Sequence, residues 1–150
     1  MARKRKTRFE VIAQAVNEHL KEEGITLNFM GYRETVIAYC RMADNHIREL
    51  HNLMNDCLLW SNYLHEVRSF IEWKKEEAQL KTDYFLAIED RRNPSAELED
   101  IMQSWKGKVR DYKLFEKHLM SQYKFFVHAH QQCKVAYLKG VRQLGQSATT

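Results

Sequence analysis

The stretch YRETVIAYCRMADNHIRELHNLMNDCLLWSNYLHEVRSFIEWKKEEAQLKTDYFLAI, from Tyr32 to Ile88, contains neither glycine nor proline, and its reading decides the fold. Within it Ile47, Leu50, Met54, Cys57, Trp60, Leu64, Val67, Ile71, Ala78, Phe85 and Ile88 recur at three- and four-residue steps or at whole multiples of two turns. That period places them on one face of a helix, and with no breaker in the run the whole stretch reads as one very long helix. At 1.5 Å per residue such a helix reaches roughly 85 Å, far more than a compact globule of this size can bury.

Downstream, Asn93 offers a cap, Pro94 suits a first helical turn, and Glu97, Glu99 and Asp100 suit the positive end of a helix dipole. A second stripe follows: Leu98, Ile101, Trp105, Val109, Tyr112, Phe115, Leu119, Tyr123, Phe126, His130, Cys133, Tyr137, Val141 and Leu144, about 3.5 residues per step. A turn confined to residues 92–95 permits only antiparallel neighbours. The expected fold is therefore all-α, a long antiparallel coiled-coil-like helical hairpin over residues 31–145, with 146–150 as a frayed tail. Apolar residues off the main stripes, among them Leu53, Leu58, Leu59, Tyr63, Phe70, Trp73, Tyr84, Met120, Phe125, Val127 and Leu138, need further cover. They point to a homo-oligomer of hairpins packed side by side.

Upstream, Thr7 and Glu10 have the capping-box spacing that opens a short N-terminal helix over residues 8–24. Phe9, Ile12, Val16 and Leu20 form its apolar face, Gly24 its stop, and Ile25 to Met30 a linker. Residues 1–7 read as a basic disordered arm.

Composition bounds the class. An apolar content of 44% with 29% charged residues is that of one folded domain, and only five glycines and one proline argue against sheet. No run approaches the roughly 18 consecutive apolar residues of a membrane span, so no membrane partner is expected. Glu10, Gln14, Asn17 and Glu18 follow the basic start where a secretion signal needs an apolar core. Three scattered cysteines are an odd set and form no disulfide framework, which fits a reducing, cytoplasmic setting.

The formal charge of +4 conceals its distribution. Residues 1–8 carry five cations and no carboxylate, while residues 9–60 and 61–100 are each net −4. Residues 101–150 hold nine cations against two carboxylates. The first arm is acidic and the second basic, which points to a polyanionic partner or to self-association between unlike surfaces.

Lys106, Arg110, Lys113, Lys117 and Lys124 fall at steps of four, three, four and seven, on one line beside the second stripe. With Arg3, Lys4, Arg5, Lys6 and Arg8 they are the candidate nucleic-acid contacts, neutralising phosphates in a salt-dependent, largely sequence-independent way. The alternative is a solvated face, or one paired with a neighbouring subunit's acids. Tyr112, Phe115, Tyr123, Phe125, Phe126 and Tyr137 interleave with these cations as base-stacking residues would. Tyr112, Phe115, Tyr123 and Phe126 are better placed as core, and Phe125 is more open.

No catalytic, metal or cofactor site is expected. His130 and Cys133 share a helix face but His128 does not, and no fourth zinc ligand is evident. His130 reads instead as a polar break in the seam that fixes register. Arg41 and His46 have the R-x4-H spacing of the all-helical HEPN ribonucleases, although those are compact four-helix bundles and this chain has two very long arms.

Asn55-Asp-Cys-Leu-Leu-Trp-Ser-Asn-Tyr-Leu64 resembles the apolar-aromatic-Ser-x-aromatic-Leu segment of the phage UvsY-type recombination mediators. Those proteins continue with a Lys/Glu-rich helix, here Lys74-Lys-Glu-Glu-Ala-Gln-Leu-Lys81, an aromatic pair, here Tyr84-Phe85, a turn and a basic helix. The resemblance implies rings of helical hairpins that bind single-stranded DNA, the single-strand binding protein and the recombinase, in the cytoplasm of a host cell. The chain departs from that pattern before residue 50 and after Val141, so the DNA contacts are nominated by charge. The leading expectation is an oligomeric, non-enzymatic accessory protein acting on single-stranded nucleic acid, with other proteins of a nucleic-acid-processing complex as partners. The alternatives are an interaction scaffold, adaptor or virion component built from hairpins, and a HEPN-like ribonuclease.

Overall fold

The computed structural model describes residues 6–44, 46–89 and 96–149. Among the described residues four helices follow one another, α1 (Arg8–Lys21), α2 (Tyr32–Cys40), α3 (Ile47–Glu89) and α4 (Ala96–Thr149), with a 3₁₀ turn at Met42–Asp44. The long antiparallel hairpin is α3 against α4. The predicted turn at 92–95 and the arm residues Arg3, Lys4 and Arg5 lie outside the described residues.

The chain forms two compact units. The first holds Met1–Leu27 and Glu66–Leu119, and the second Asn28–His65 and Met120–Thr150. Both pair α3 with α4 in the same sense. In the first unit Lys75 bonds Glu116 and Lys81 lies over Trp105. In the second Trp60 stacks near Phe126, His130 bonds Met54 and His51 meets Tyr137. The members of each pair stand at nearly equal sequence distances on either side of Asn93-Pro94, as antiparallel neighbours in one hairpin do.

The predicted α3 stripe faces inward along its length, from half-buried Ile47 to half-buried Ile88. The α4 stripe does so from Trp105 to Tyr137, while Ile101, Val141 and Leu144 are exposed and Met102 is buried in place of Ile101. The helix also continues past the predicted end at 145 to Thr149. Gly145 does not stop it, because no left-handed turn forms there, and extending an existing helix costs little.

The expectation of one helix from Tyr32 to Ile88 is corrected. A continuous helix separates Tyr32 from Trp60 by about 42 Å, yet their rings lie 5.9 Å apart. The chain folds back because Tyr32 buries itself against Trp60 and Phe126, and Tyr39 packs on Phe125. Local chemistry permits the break: Asp44 and Asn45 are residue types whose side chains compete for nearby backbone groups and disfavour a helix interior. At the other end of α2, Gly31 holds a left-handed φ of 88° that a side chain would strain.

α1 opens with the full capping box, Thr7 Oγ1 accepting from the Glu10 N–H and Glu10 accepting from the Thr7 N–H. Its Phe9, Ile12, Ala13, Val16 and Leu20 are buried in the first unit, with Phe9 5.8 Å from Phe115. At roughly 1.5–3 kcal/mol for each large apolar side chain, this burial fixes α1 on the hairpin. α1 runs antiparallel to α4, since Phe9 meets Phe115, His19 meets Asp111 and Glu22 meets Lys108. In the second unit Asn28 bonds Tyr63 and Leu53 is buried. Part of the cover predicted to come from other subunits is thus supplied within the chain, but Leu58, Leu59, Trp73, Tyr84, Val127 and Leu138 remain exposed.

Candidate nucleic-acid interface

Residues 101–145 of α4 carry nine cations and two carboxylates, and the packing sorts them by side. Both carboxylates turn inward. His19 donates from Nε2 to Asp111 Oδ2 at 2.7 Å, and Lys75 Nζ donates to Glu116 Oε2 at 2.6 Å. Lys108 also turns inward, 3.0 Å from Glu22 and 4.2 Å from the centre of the Trp105 ring. Charges that face a neighbouring helix are paired because an unpaired charge out of water is costly.

The outer side is different. In the first unit Lys106, Arg110, Lys113 and Lys117 are all exposed, and Lys106 to Lys117 span about 16 Å along the helix. Among the described residues none of Lys106, Lys113 and Lys117 is in an ion pair, and Arg110 makes one contact of 3.7 Å with Asp111 at its edge. Lys124, in the second unit, is exposed and unpaired on the same terms.

The antiparallel packing of α1 carries Lys6 and Arg8 to the same side of the first unit, although about a hundred residues separate them from the ridge. Both are exposed, and Lys6 Nζ donates to Gln14. With Val11, Ile12, Ala15, Leu114 and His118 they line an open groove of about 440 Å³. Leu114 is flanked on α4 by Arg110 and Lys117, so the groove borders the ridge. Sequence reading missed it, because the periodicity of α1 shows that the helix needs a partner but not which face of α4 receives it.

The aromatic residues proposed for stacking lie elsewhere. Tyr112, Phe115 and Phe126 are buried. Half-buried Tyr123 and Tyr137 sit beside His65 and His51, and Phe125 lies between Tyr39 and Phe126. The outer ridge is an electrostatic surface without a stacking platform.

A polar cavity of about 270 Å³ in the first unit is lined by His19, Glu22, Glu23, Lys74, Glu77, Lys81, Trp105, Lys108 and Tyr112. Its charges are matched internally. Lys74, 5% exposed, donates to Glu23 at 2.7 Å and to Glu77 at 3.0 Å, and Lys81 stands 3.8 Å from Glu77. Burial alone would lower the Lys74 pKa, but the two carboxylates together hold it above its usual value. The Lys108 hydrogen bond holds Glu22 below the ordinary carboxylate value, and burial pushes Tyr112 up to about 12. Because each ammonium already has a carboxylate, an anion entering here has no free cation to meet.

Arg41 caps the C-terminus of α2, and exposed His46 precedes α3, its N–H bonded to Glu49. The 3₁₀ turn between them means that the R-x4-H pair does not share one continuous helix. His130 donates from Nδ1 to the Met54 carbonyl, inside the seam as its position in the stripe implies, and His128 is exposed. Among the described residues no three His, Cys, Asp or Glu side chains converge as a metal site, and no helix is long and apolar enough to cross a membrane. No known family, curated protein or solved structure matches the chain.

Proposed function

We propose that this protein is a non-enzymatic accessory factor that holds the backbone of nucleic acid against the outer face of α4. The observation that carries the reading is the sorting of charge: every carboxylate between residues 101 and 145 is turned inward and paired, while Lys106, Lys113 and Lys117 are left to solvent. Lys6 and Arg8 extend the cationic surface from α1, and Arg3, Lys4 and Arg5 precede them in sequence. Such a surface recognises phosphates and not base edges, so binding is strong at low salt and indifferent to sequence. The preference for single strands, the recombination setting, the cytoplasm of a phage-infected host and other proteins of the same process as partners rest on the likeness of Asn55–Leu64 to the recombination mediators. Reversing three charges in Lys106→Glu, Arg110→Glu and Lys113→Glu together lowers the affinity for an oligothymidylate by roughly 100-fold at low salt, on the phosphate-contact scale, measured by fluorescence anisotropy. Unchanged affinity overturns the reading.

A second reading, a protein-interaction scaffold, is favoured by one observation: Trp73, Leu80 and Tyr84 are exposed in a row on α3.

A further inference from the structure

The outer face of α3 in the first unit exposes large apolar side chains among carboxylates. Trp73 (58% exposed), Leu80 (71%) and Tyr84 (63%) form a line at steps of seven and four. Glu66, Glu72, Glu76 and Asp83 flank them, all exposed, and the cations that border the face are Lys74, whose ammonium lies 5.0 Å from the centre of the Trp73 ring, and Lys81 at its edge. Among the described residues Glu66, Glu72 and Glu76 are in no ion pair, and Asp83 accepts only from Gln79. Two large aromatic rings and a leucine held in water mark an interaction surface, and charge determines what can occupy it.

A second copy of the same face is excluded, because it would set four carboxylates against four around an apolar centre. The complementary surface is on the chain itself. Lys106, Arg110, Lys113 and Lys117 flank exposed Leu114 on α4. Glu72, Glu76 and Asp83 are spaced by four and seven, and so are Lys117, Lys113 and Lys106 read in the opposite direction. Two helices laid antiparallel through these faces place the three pairs in register, with Trp73, Leu80 and Leu114 toward the centre.

We propose that the acidic aromatic face of α3 in one copy docks on the basic face of α4 in a second copy, and that this self-association competes with nucleic acid for the same cations. The contact is heterologous. Each bound copy keeps one unused face of each kind, so association continues until a ring closes or a filament grows. The competition, but not the docking, rests on the nucleic-acid reading above. Free protein stores its ridge against its neighbours, and a polyanion of higher charge density releases it.

Sedimentation of the full-length chain at low salt tests both parts. The wild type is expected well above the 18.0 kDa of one chain, whereas Glu72→Lys/Glu76→Lys and Lys113→Glu/Lys117→Glu are each expected as monomers with unchanged far-ultraviolet circular dichroism. Mixed, the two variants are expected to assemble again, since the reversed faces complement each other as the intact ones do. A monomeric wild type, or an assembly that survives the α3 reversal, overturns the docking. Oligothymidylate added to the wild type is expected to reduce its mass while binding, and Glu72→Lys/Glu76→Lys is expected to bind it at least as tightly as the wild type. An oligonucleotide that binds without dissolving the assembly overturns the competition. Assembly without any oligonucleotide binding leaves the docking standing and overturns the nucleic-acid reading, and binding by a monomeric wild type does the reverse.

Discussion

The two units use one hairpin and fill its seam with different chemistry. Around the buried Phe9, Leu20, Ile71 and Phe115, the first unit sets a ring of ion pairs: Lys74 with Glu23 and Glu77, Lys75 with Glu116, Lys108 with Glu22, and His19 with Asp111. The second is built from rings and sulfur. Trp60 and Tyr32 close on Phe126, Tyr39 on Phe125, and the buried Cys133 lies 3.6 Å from the Met42 sulfur, with Cys57 fully buried in the same seam. The unit that commits its carboxylates to interior pairing leaves Lys106, Lys113 and Lys117 without an ion pair on its outer side. The inward pairing of Asp111 and Glu116 keeps carboxylates off the ridge, so its charge depends on how the first unit is packed as well as on how many lysines α4 has.

This contrast can be broken most forcefully in the aromatic seam. Phe126→Ala removes a fully buried ring that touches Tyr32, Trp60 and Phe125 and is expected to cost about 3–5 kcal/mol. Hydrogen exchange should place the loss in the second unit. Glu23→Gln with Glu77→Gln leaves Lys74 buried without a countercharge and is expected to cost about 2–3 kcal/mol, at the low end for a broken buried pair because both carboxylates are partly exposed. Here the weakened amides should be those of the first unit, and equal weakening of both units would dissolve the distinction.

Titration sharpens the comparison. Burial, with smaller contributions from Cys133, pushes Cys57 up to about 12 from an ordinary value of 9.0. The folded state therefore holds that proton more tightly, and the stability it confers is present below pH 9 and lost as pH rises toward 12. In the first unit the corresponding loss, through Tyr112, begins only near pH 10. Denaturation followed at rising pH should thus weaken the second unit first, by about 1.4 kcal/mol per pH unit. In Cys57→Ala/Cys133→Ala that early phase should vanish. Acid acts on the other unit: the lowered Glu22 value means that its contribution is lost as pH falls below 4.5.

The smallest effects come from two helical glycines. A methyl group at Gly107, in the first unit, meets nothing within 4 Å, so Gly107→Ala should stabilise by about 0.5–1 kcal/mol. At Gly140, in the second, it would come within 2.9 Å of Ile47 Cγ1, and Gly140→Ala should destabilise by about 1 kcal/mol.

The hairpin was legible because its periodicity is long and unbroken: α3 buries the stripe read from Ile47 to Ile88, and His130 sits in the seam where its place in the α4 stripe puts it. The capping box at Thr7 and Glu10 was equally plain, since it is a local pattern with a local consequence. What was not legible is tertiary. Nothing in Tyr32–Cys40 forbids a helix continuing into α3, and only the match of Tyr32 with Trp60 and Phe126 decides that it folds back. The ridge was visible as spacing, whereas the inward pairing of Asp111 and Glu116 depends on where His19 and Lys75 arrive in space. Likewise the nearness of Lys6 and Arg8 to Leu114 follows from the docking of α1, which no short-range pattern encodes.

The salt dependence of oligonucleotide binding by the wild-type chain is the most direct test of the ridge as a phosphate-binding surface. If Lys106, Arg110, Lys113 and Lys117 each neutralise a phosphate, the logarithm of the association constant should fall against the logarithm of salt concentration with a slope of about −3, and Lys113→Gln should reduce its magnitude by about 0.7. A slope near zero, or one that Lys113→Gln leaves unchanged, would contradict it.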